Sequence, residues 1–240
     1  MTCHLVALSF DAQDPPALAR FWAGVLGREV TDDPPDGMAL LPSHDTGFRI
    51  EFFPTEVQKT GPNQMHFDLT STSLEDQQGT VARALELGAR RIDVGQRPDE
   101  GHVVLADPDG NEFCVIEPGN SFLAGCGSVG ALSSDGTREV GHFWSETLSW
   151  PLVWDQDQET AIQSPRGGTK ITWGGPPIRP VTGKNRLHFD VAPPVGGDQQ
   201  AEVDRLVSLG ATRIDIGQGD VSWVVMADPD GNEFCVLTPR

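Results

Sequence analysis

The hydrophobic positions of the chain follow two spacings, which predict short strands and amphipathic helices. Residues His4–Phe10 form an apolar run typical of a strand. Residues Ala17–Leu26 then place their large apolar side chains at helical spacing, and Gly27 can cap that helix. Three strand-like segments follow, at Arg28–Thr31, Met38–Leu41 and Gly47–Phe53. One strand, one helix and three strands make a βαβββ unit, which we call a module.

The same order of elements begins again at Met65. In the segment MHFDLT, Met65, Phe67 and Leu69 point to one face of a strand, while His66 and Asp68 point to the other. A helix is predicted over 74–87, followed by strands at Arg91–Val94, His102–Leu105 and Asn111–Ile116. The first half of the chain therefore holds two modules.

The second half repeats the first. The segment ADPDGNEFCV stands at 106–115 and again at 227–236, and its Asp-Pro-Asp-Gly part predicts a tight turn between two strands. His66 and His188 lie in matching segments, MHFDL and LHFDV, which are 122 positions apart. This repeat predicts two domains, 1–118 and 125–240, joined by a linker over 119–124.

Composition narrows the classes of partner. A net charge of −18 disfavours nucleic acid and anionic membranes. Four cysteines without CxxC spacing indicate reduced thiols. The N-terminal residues have no signal-peptide pattern, and no apolar run is long enough to span a membrane. We expect a cytoplasmic protein with a small-molecule ligand, either a monomer or a homodimer.

The helical FW pair, the LGA at a helix end and the DPDGNEF hairpin resemble the vicinal oxygen chelate superfamily, which includes glyoxalase I, bleomycin-resistance proteins and extradiol dioxygenases. The resemblance implies an α+β fold of two tandem glyoxalase-like domains. In each domain, paired βαβββ modules would form a U-shaped mixed sheet with helices outside. A ligand or metal would occupy the concave side, which His66, Asp68, Glu112 and Cys114 would line.

The resemblance also implies a metal site. Metalloenzymes of the superfamily take one ligand from the first strand and one from the last strand of each module. Glu51 and His66 match two of these positions, Cys114 occupies a third, and a shifted register would offer His4. A carboxylate and an imidazole suit Zn, Ni, Fe or Mn.

The second half offers different chemistry. His188 matches His66, but Thr172 or Trp173 stands where the first half has its carboxylate. Cys126, His188 and Cys235 are an alternative zinc set. Trp154, Trp173 and Trp223 suggest an apolar cavity in this half, although packing into the core explains them equally well. Any metal chemistry is therefore expected in the first half, and a bulky apolar ligand in the second.

Three hypotheses follow. The first is a protein that binds an organic metabolite or antibiotic through the polar anchors and tryptophans of its concave sheets: His66, Asp68, His188, Asp190, Trp154, Trp173 and Trp223. The second is a metal-dependent lyase, isomerase or dioxygenase that uses Glu51 and His66. The third is an interaction module whose interior is filled by side chains. The two histidines could equally be hydrogen-bonded within the sheet.

Overall fold

A computed structural model describes residues 2–32, 34, 37–42, 47–97, 99–181 and 183–240. Its helices are α1 Pro15–Leu26, α2 Leu74–Glu86, α3 Arg138–Leu148 and α4 Gln199–Ser208. Its strands are β1 His4–Ala12, β2 Val30–Thr31, β3 Met38–Leu40, β4 Arg49–Pro54, β5 Met65–Leu69, β6 Arg90–Arg91, β7 Val103–Ala106, β8 Glu112–Val115, β9 Val129–Ser134, β10 Leu152–Gln156, β11 Glu159–Gln163, β12 Lys170–Trp173, β13 Leu187–Ala192, β14 Thr212–Arg213, β15 Val224–Ala227 and β16 Glu233–Val236.

The predicted order of elements is confirmed, and the four modules span residues 4–54, 65–115, 129–173 and 187–236. Helix α1 begins at Pro15, with Pro15 and Pro16 in its first turn, and the Asp14 side chain caps it by accepting from the backbone N–H of Ala17 at 3.0 Å. Gly27 ends the helix in the left-handed conformation, at φ 65°.

The modules assemble into two eight-stranded sheets, and the α+β class is confirmed. Sheet A has the order β14-β15-β16-β13-β1-β4-β3-β2, and sheet B the order β10-β11-β12-β9-β5-β8-β7-β6. Each module's first strand is parallel to its own last strand. The first strands then meet in antiparallel pairs, β1 with β13 and β5 with β9. Each sheet is therefore mixed.

The expected partnership of modules is wrong. The first and fourth modules share sheet A, and the second and third share sheet B, so each sheet contains one module from each half. All four modules have the same order of elements, which does not specify which two modules share a sheet. The connector 116–128 helps to select the partner, because both of its ends are bonded at the C-terminal end of β5. Ile116 N–H donates to Leu69 O at 2.8 Å, and the N–H of Thr70, the residue after β5, donates to Ser128 O at 3.1 Å.

The two modules of one half contact each other through the core instead. Trp22 of α1 lies 6.2 Å, centroid to centroid, from Phe10 of sheet A, and 5.1 and 5.0 Å from Phe67 and Phe113 of sheet B. In the second half Trp144 packs on Phe189 and Phe234 at 4.8 and 5.1 Å. The prediction that the helical FW pairs pack onto the sheets is confirmed.

A buried hydrogen bond anchors each of these tryptophans. Trp22 Nε1 donates to Asp107 Oδ2 at 3.1 Å, and Trp144 Nε1 donates to Asp228 Oδ2 at 3.2 Å. Both aspartates open the repeated turns, and burial raises the pKa of each to about 6. The tryptophan donor opposes that shift, since it stabilises the charged carboxylate.

The substitution Trp22→Phe tests this anchor. It removes one donor from buried Asp107, so we expect the free energy of unfolding to fall by about 1–3 kcal/mol. The loss should be larger at pH 8 than at pH 5. The raised pKa of Asp107 stabilises the folded state below the unfolded pKa of 3.8, and this stabilisation is lost as the pH rises through the folded pKa of about 6. At pH 8 the carboxylate is charged, so the loss of the tryptophan donor costs more there than at pH 5.

Urea unfolding at the two pH values measures the change. Trp144→Phe is the matched variant and should behave in the same way, because its partner Asp228 has the same environment. Unfolding free energies unchanged in both variants would show that the two hydrogen bonds do not stabilise the fold.

Candidate functional site

A cavity of about 710 Å³ opens on sheet B. Its lining combines apolar and charged side chains, including Lys59, His66, Arg90, Val104, Glu112 and Cys114. The volume lies within the range of about 300–1,000 Å³ that ligand sites usually occupy. Loop residue Arg179, from the second half, also lines it, so the cavity draws on both halves.

Strand alternation places the polar side chains toward the cavity. Phe67 and Leu69 of β5, with Phe113 and Val115 of β8, are buried in the core. Between them His66, Glu112 and Cys114 line the cavity. The division of the two faces is the one that the sequence predicts.

Three side chains of the second module form a compact cluster at this cavity, namely His66, Asp68 and Cys114. One potential ligand atom from each lies within 4.8 Å of the others. His66 Nε2 is 3.4 Å from Asp68 Oδ1, and Ser133 of β9 donates to Asp68 Oδ2 at 2.5 Å. The Asp68 carboxylate thus lies beside the His66 imidazole, the Cys114 thiol and the Ser133 hydroxyl.

The cluster alters the acidity of its members. Burial lowers the pKa of His66, but the interaction with Asp68 and the charges of Asp68, Asp135 and Glu112 outweigh it, so the pKa of the imidazole is raised. Burial, and then the Asp68 carboxylate, raise the pKa of the Cys114 thiol. The thiol is therefore neutral near pH 7 and is no activated nucleophile.

Sheet A carries the same cluster at matching positions: His188, Asp190 and Cys235. Ser9 of β1 donates to Asp190 Oδ2 at 2.5 Å, as Ser133 does to Asp68. This cluster is more enclosed, because the His188 side chain is 13% exposed, against 33% for His66. Burial raises the pKa of the Cys235 thiol as well.

Charged pairs surround the sheet A cluster. Arg49 Nε lies 3.1 Å from Glu51 Oε1, and Lys184 forms an ion pair with Asp11. Burial raises the pKa of Glu233, although the nearby backbone of Asn185 opposes this shift. The concave side of sheet A is thus occupied by mutually paired charges.

The expected metal pair of Glu51 and His66 is not brought together. Glu51 lies on β4 of sheet A, in register with Ser9, whereas His66 lies on β5 of sheet B. The expectation was wrong because it assumed that both modules of one half share a sheet. His4 is exposed at the start of β1 and joins neither His–Asp–Cys cluster. The alternative zinc set is also separated, since Cys126 contacts Gln163 of sheet B whereas His188 and Cys235 lie in sheet A.

The three candidate tryptophans of the second half lie in different environments. Trp173 is 2% exposed and belongs to the core, because β12 turns Thr172, and not Trp173, toward Ser133. Trp154 of β10, in sheet B, makes an edge-on ring contact with Phe122. Trp223 precedes β15 of sheet A and is 40% exposed. The three tryptophans therefore do not share one environment, and an apolar ligand cavity in the second half stays a prediction.

Sequence reasoning missed the cationic part of the cavity and the serines. Lys59 and Arg90 both lie beside the turn at Gly110. A Cβ atom added to Gly110 would lie 3.7 Å from Lys59 Cδ and 3.3 Å from Arg90 Nη2. Nothing local in the sequence marks these side chains. Ser133 and Ser9 do stand on first strands, but their role depends on knowing which modules are partners.

Comparison with known proteins places these features in a family context. A family model described as a glyoxalase-like domain matches residues 7–116 and 131–237. Glyoxalase 1 of Caenorhabditis briggsae is 26% identical over 148 residues, which cover 57% of this chain and 50% of that protein. The chain therefore spans about half the length of this curated relative.

Solved structures share the fold over the whole chain. Glyoxalase I from Zea mays superposes with a TM-score of 0.61 at 13% identity, covering 99% of this chain and 92% of that one. A candidate dioxygenase from Bacillus subtilis gives a TM-score of 0.61 at 15% identity, covering 99% and 85%. At such identities the likeness concerns the fold alone.

The substitution Asp68→Asn tests the electrostatics of the cavity. In the unaltered protein the His66 imidazole should titrate above its ordinary pKa of 6.5. Without the Asp68 charge, the burial of His66 is opposed by the charges of Asp135 and Glu112 and no longer by its nearest carboxylate, so the pKa of His66 should fall. NMR titration of the ring protons measures both values.

Asp190→Asn serves as the matched control, because it changes sheet A and should leave the His66 titration in place. The raised pKa adds stability below pH 6.5, which is lost as the pH rises through the folded value. A His66 pKa that does not respond to Asp68→Asn would contradict the described pairing.

Proposed function

The chain belongs to the glyoxalase-like domain family, and from that premise we propose that its sheet B cavity binds a small organic ligand, a metabolite or an antibiotic. The observation that supports this proposal is the 710 Å³ cavity itself, which has both apolar walls and convergent polar groups. Bleomycin-resistance proteins, which the sequence resembles, hold their ligands in a comparable concave sheet.

The cavity offers separate contacts for the two parts of such a ligand. Ile92 and Val104 supply apolar surface, while His66 supplies a hydrogen-bonding group on the floor. Lys59 Nζ is held 2.6 Å from Glu112 Oε1, and Arg179 is paired with Asp135. Because their charges are paired, neither cation is left uncompensated in the cavity wall. An amphipathic molecule with hydrogen-bonding oxygens fits this lining.

The candidate ligand residues of sheet A have a smaller part in this proposal. His188 and Asp190 are enclosed, with side chains 13% and 7% exposed, among the ion pairs of that sheet. The Asp68 carboxylate contacts His66 and raises the pKa of its imidazole. We therefore assign the ligand to His66 and its neighbours in sheet B.

A metal-dependent lyase, isomerase or dioxygenase is the second candidate. Related proteins carry the names glyoxalase and dioxygenase, which makes an enzymatic role worth testing. The Glu51 and His66 pair cannot serve it, since the two residues lie in different sheets. The observation that favours a metal is instead the His66, Asp68 and Cys114 cluster.

The third hypothesis, an interaction module with a filled interior, is disfavoured by the open cavity in sheet B. None of the helices in the described ranges combines the length and apolar character that crossing a bilayer requires. The four cysteines are free, which supports our proposal of a reducing, cytoplasmic location. Whether the chain acts as a monomer or a homodimer stays a prediction.

The paired substitutions His66→Ala and His188→Ala test the proposed site. A library of metabolites and natural products is screened by thermal shift, and hits are measured by calorimetry. His66→Ala should weaken binding by about 10-fold or more, since a lost hydrogen bond to a chargeable group is worth about 1.5–3 kcal/mol. His188→Ala should leave affinity within a factor of about two.

Equal effects of the two substitutions would place the ligand outside the sheet B cavity or in both sheets. A library without a single thermal shift would remove the support for ligand binding. Trp fluorescence is unsuited as a readout, because none of the described residues that line the cavity is a tryptophan.

A further inference from the structure

We propose that the ligand of the sheet B cavity is an organic acid, and that Arg90 binds its carboxylate or phosphate group. This inference rests on the proposed function and deepens it, since it names the class of ligand and the residue that selects it. Within the described residues, lysine and arginine line the cavity at Lys59, Arg90 and Arg179. Arg90 differs from the other two because no carboxylate neutralises it.

The charges of the other two cations are already paired. Lys59 Nζ donates to Glu112 Oε1 at 2.6 Å, and Arg179 forms an ion pair with Asp135. The guanidinium of Arg90 makes no ion pair or hydrogen bond with any residue in the described part of the chain. An anion that enters the cavity would have to displace a carboxylate from Lys59 or Arg179, whereas the donors of Arg90 are available.

The position of Arg90 makes its guanidinium accessible from the cavity. The residue is exposed on β6, the outermost strand of sheet B, and lines the cavity wall. Its Nη2 lies 3.3 Å from the point that a Cβ atom of Gly110 would occupy. Gly110 has φ 88°, a conformation that favours glycine, so the turn leaves this space to the guanidinium. At the matching Gly231, no described atom lies within 4 Å of such a point.

The fold does not require an arginine at this position. Thr212 occupies the matching place in the second half. Arg90 is in register with Ala106 in β7, and Thr212 is in register with Ala227 in β15, so the two strands pair in the same way. A threonine therefore satisfies the backbone of this strand. The guanidinium is a feature of the first half alone, as is the open cavity within the described residues.

The unpaired charge on the wall that would oppose an anion is that of Asp93. Its Oδ1 accepts from the backbone N–H of Gly95 at 2.8 Å, and Asp215 accepts from Gly217 at the same distance in the second half. Asp93 thus belongs to a turn that both halves share, which explains its presence without a ligand. Among the described residues it forms no ion pair with Arg90, so the guanidinium is left open to a ligand.

The surroundings of Arg90 define the rest of the ligand. A guanidinium donates two parallel hydrogen bonds to the oxygens of a carboxylate or phosphate. Ile92 and Val104 add apolar surface, and His66 adds a polar group on the floor. The net charge of −18 repels anions at long range, but salt screens exposed charges over about 8 Å. An acidic group on an apolar body therefore fits the cavity through contact with Arg90.

Three probes of similar shape test the inference on the full chain, namely benzoate, phenyl phosphate and the neutral benzamide. Binding is followed by NMR of the arginine side-chain N–H groups in ¹⁵N-labelled protein. At least one charged probe should bind about 10-fold or more tightly than benzamide and should shift the Arg90 signal, because a hydrogen bond between charged groups is stronger than one to a neutral amide. The comparison of benzoate with phenyl phosphate distinguishes the two acidic groups.

The substitution Arg90→Thr introduces the side chain found at the matching position of the second half. It should weaken binding of the preferred charged probe by about 10-fold or more and leave benzamide binding unchanged. Arg91→Thr is the matched control, since it removes the same charge from the same strand, and Arg91 is not among the described residues that line the cavity. It should leave the affinities for all three probes within a factor of about two. Circular dichroism confirms that both variants are folded.

Two results would overturn the inference. One is charged probes that bind no more tightly than benzamide, and the other is an affinity for them that Arg90→Thr does not change. If none of the three probes binds, the hits of the metabolite library replace them. Hits without an acidic group, or acidic hits that bind equally well to the Arg90→Thr variant, would then contradict the inference. Hits that still depend on His66 would leave the proposed function in place, whereas a library without hits would remove both.

Discussion

The antiparallel pairing of first strands, β5 with β9 and β1 with β13, is the contact on which the rest of the molecule depends. Without it, β1 and β5 would each expose a row of unpaired backbone groups along one edge. The pairing joins one module from each half into each sheet. It also brings Ser133 to Asp68 and Ser9 to Asp190, so the strand pairs assemble the two polar clusters as well as the sheets.

The two modules of each half are held together in a second way, through the core between the sheets. Trp22 reaches from α1 to the phenylalanines of sheet B, and its indole nitrogen is fixed by Asp107 of the repeated turn. Edge pairing thus joins the two halves, while each tryptophan contact joins the two modules of one half. Within the described residues, the chain has an open cavity on sheet B and a more enclosed polar cluster on sheet A. The side chains on the concave faces are free to differ, whereas the strand pairs and the tryptophan anchors are the same in both.

Much of this could be predicted from the sequence. The alternation in MHFDL and NEFCV assigns Phe67 and Phe113 to the core and His66 and Cys114 to the cavity, because burial of one face is a local property of a strand. Trp173 could have been placed correctly by the same rule, since it shares its parity with Ile171, which is buried. The partnership of modules could not be predicted, because four modules with one pattern are interchangeable in pairing. The Glu51 and His66 pair failed for that reason, and Arg179 was missed because its position follows from the tertiary fold alone.

Separation of the halves tests most directly whether the sheets are built across them. Residues 1–118 and 119–240 are produced as two chains, and their mass and near-ultraviolet circular dichroism are measured alone and after mixing. The account predicts that neither half is a folded monomer and that the mixture forms a one-to-one complex with the spectrum of the intact chain. A folded form of one half should contain two copies, since only a second copy can supply the missing strand. A stable, folded monomer of residues 1–118 would contradict the account.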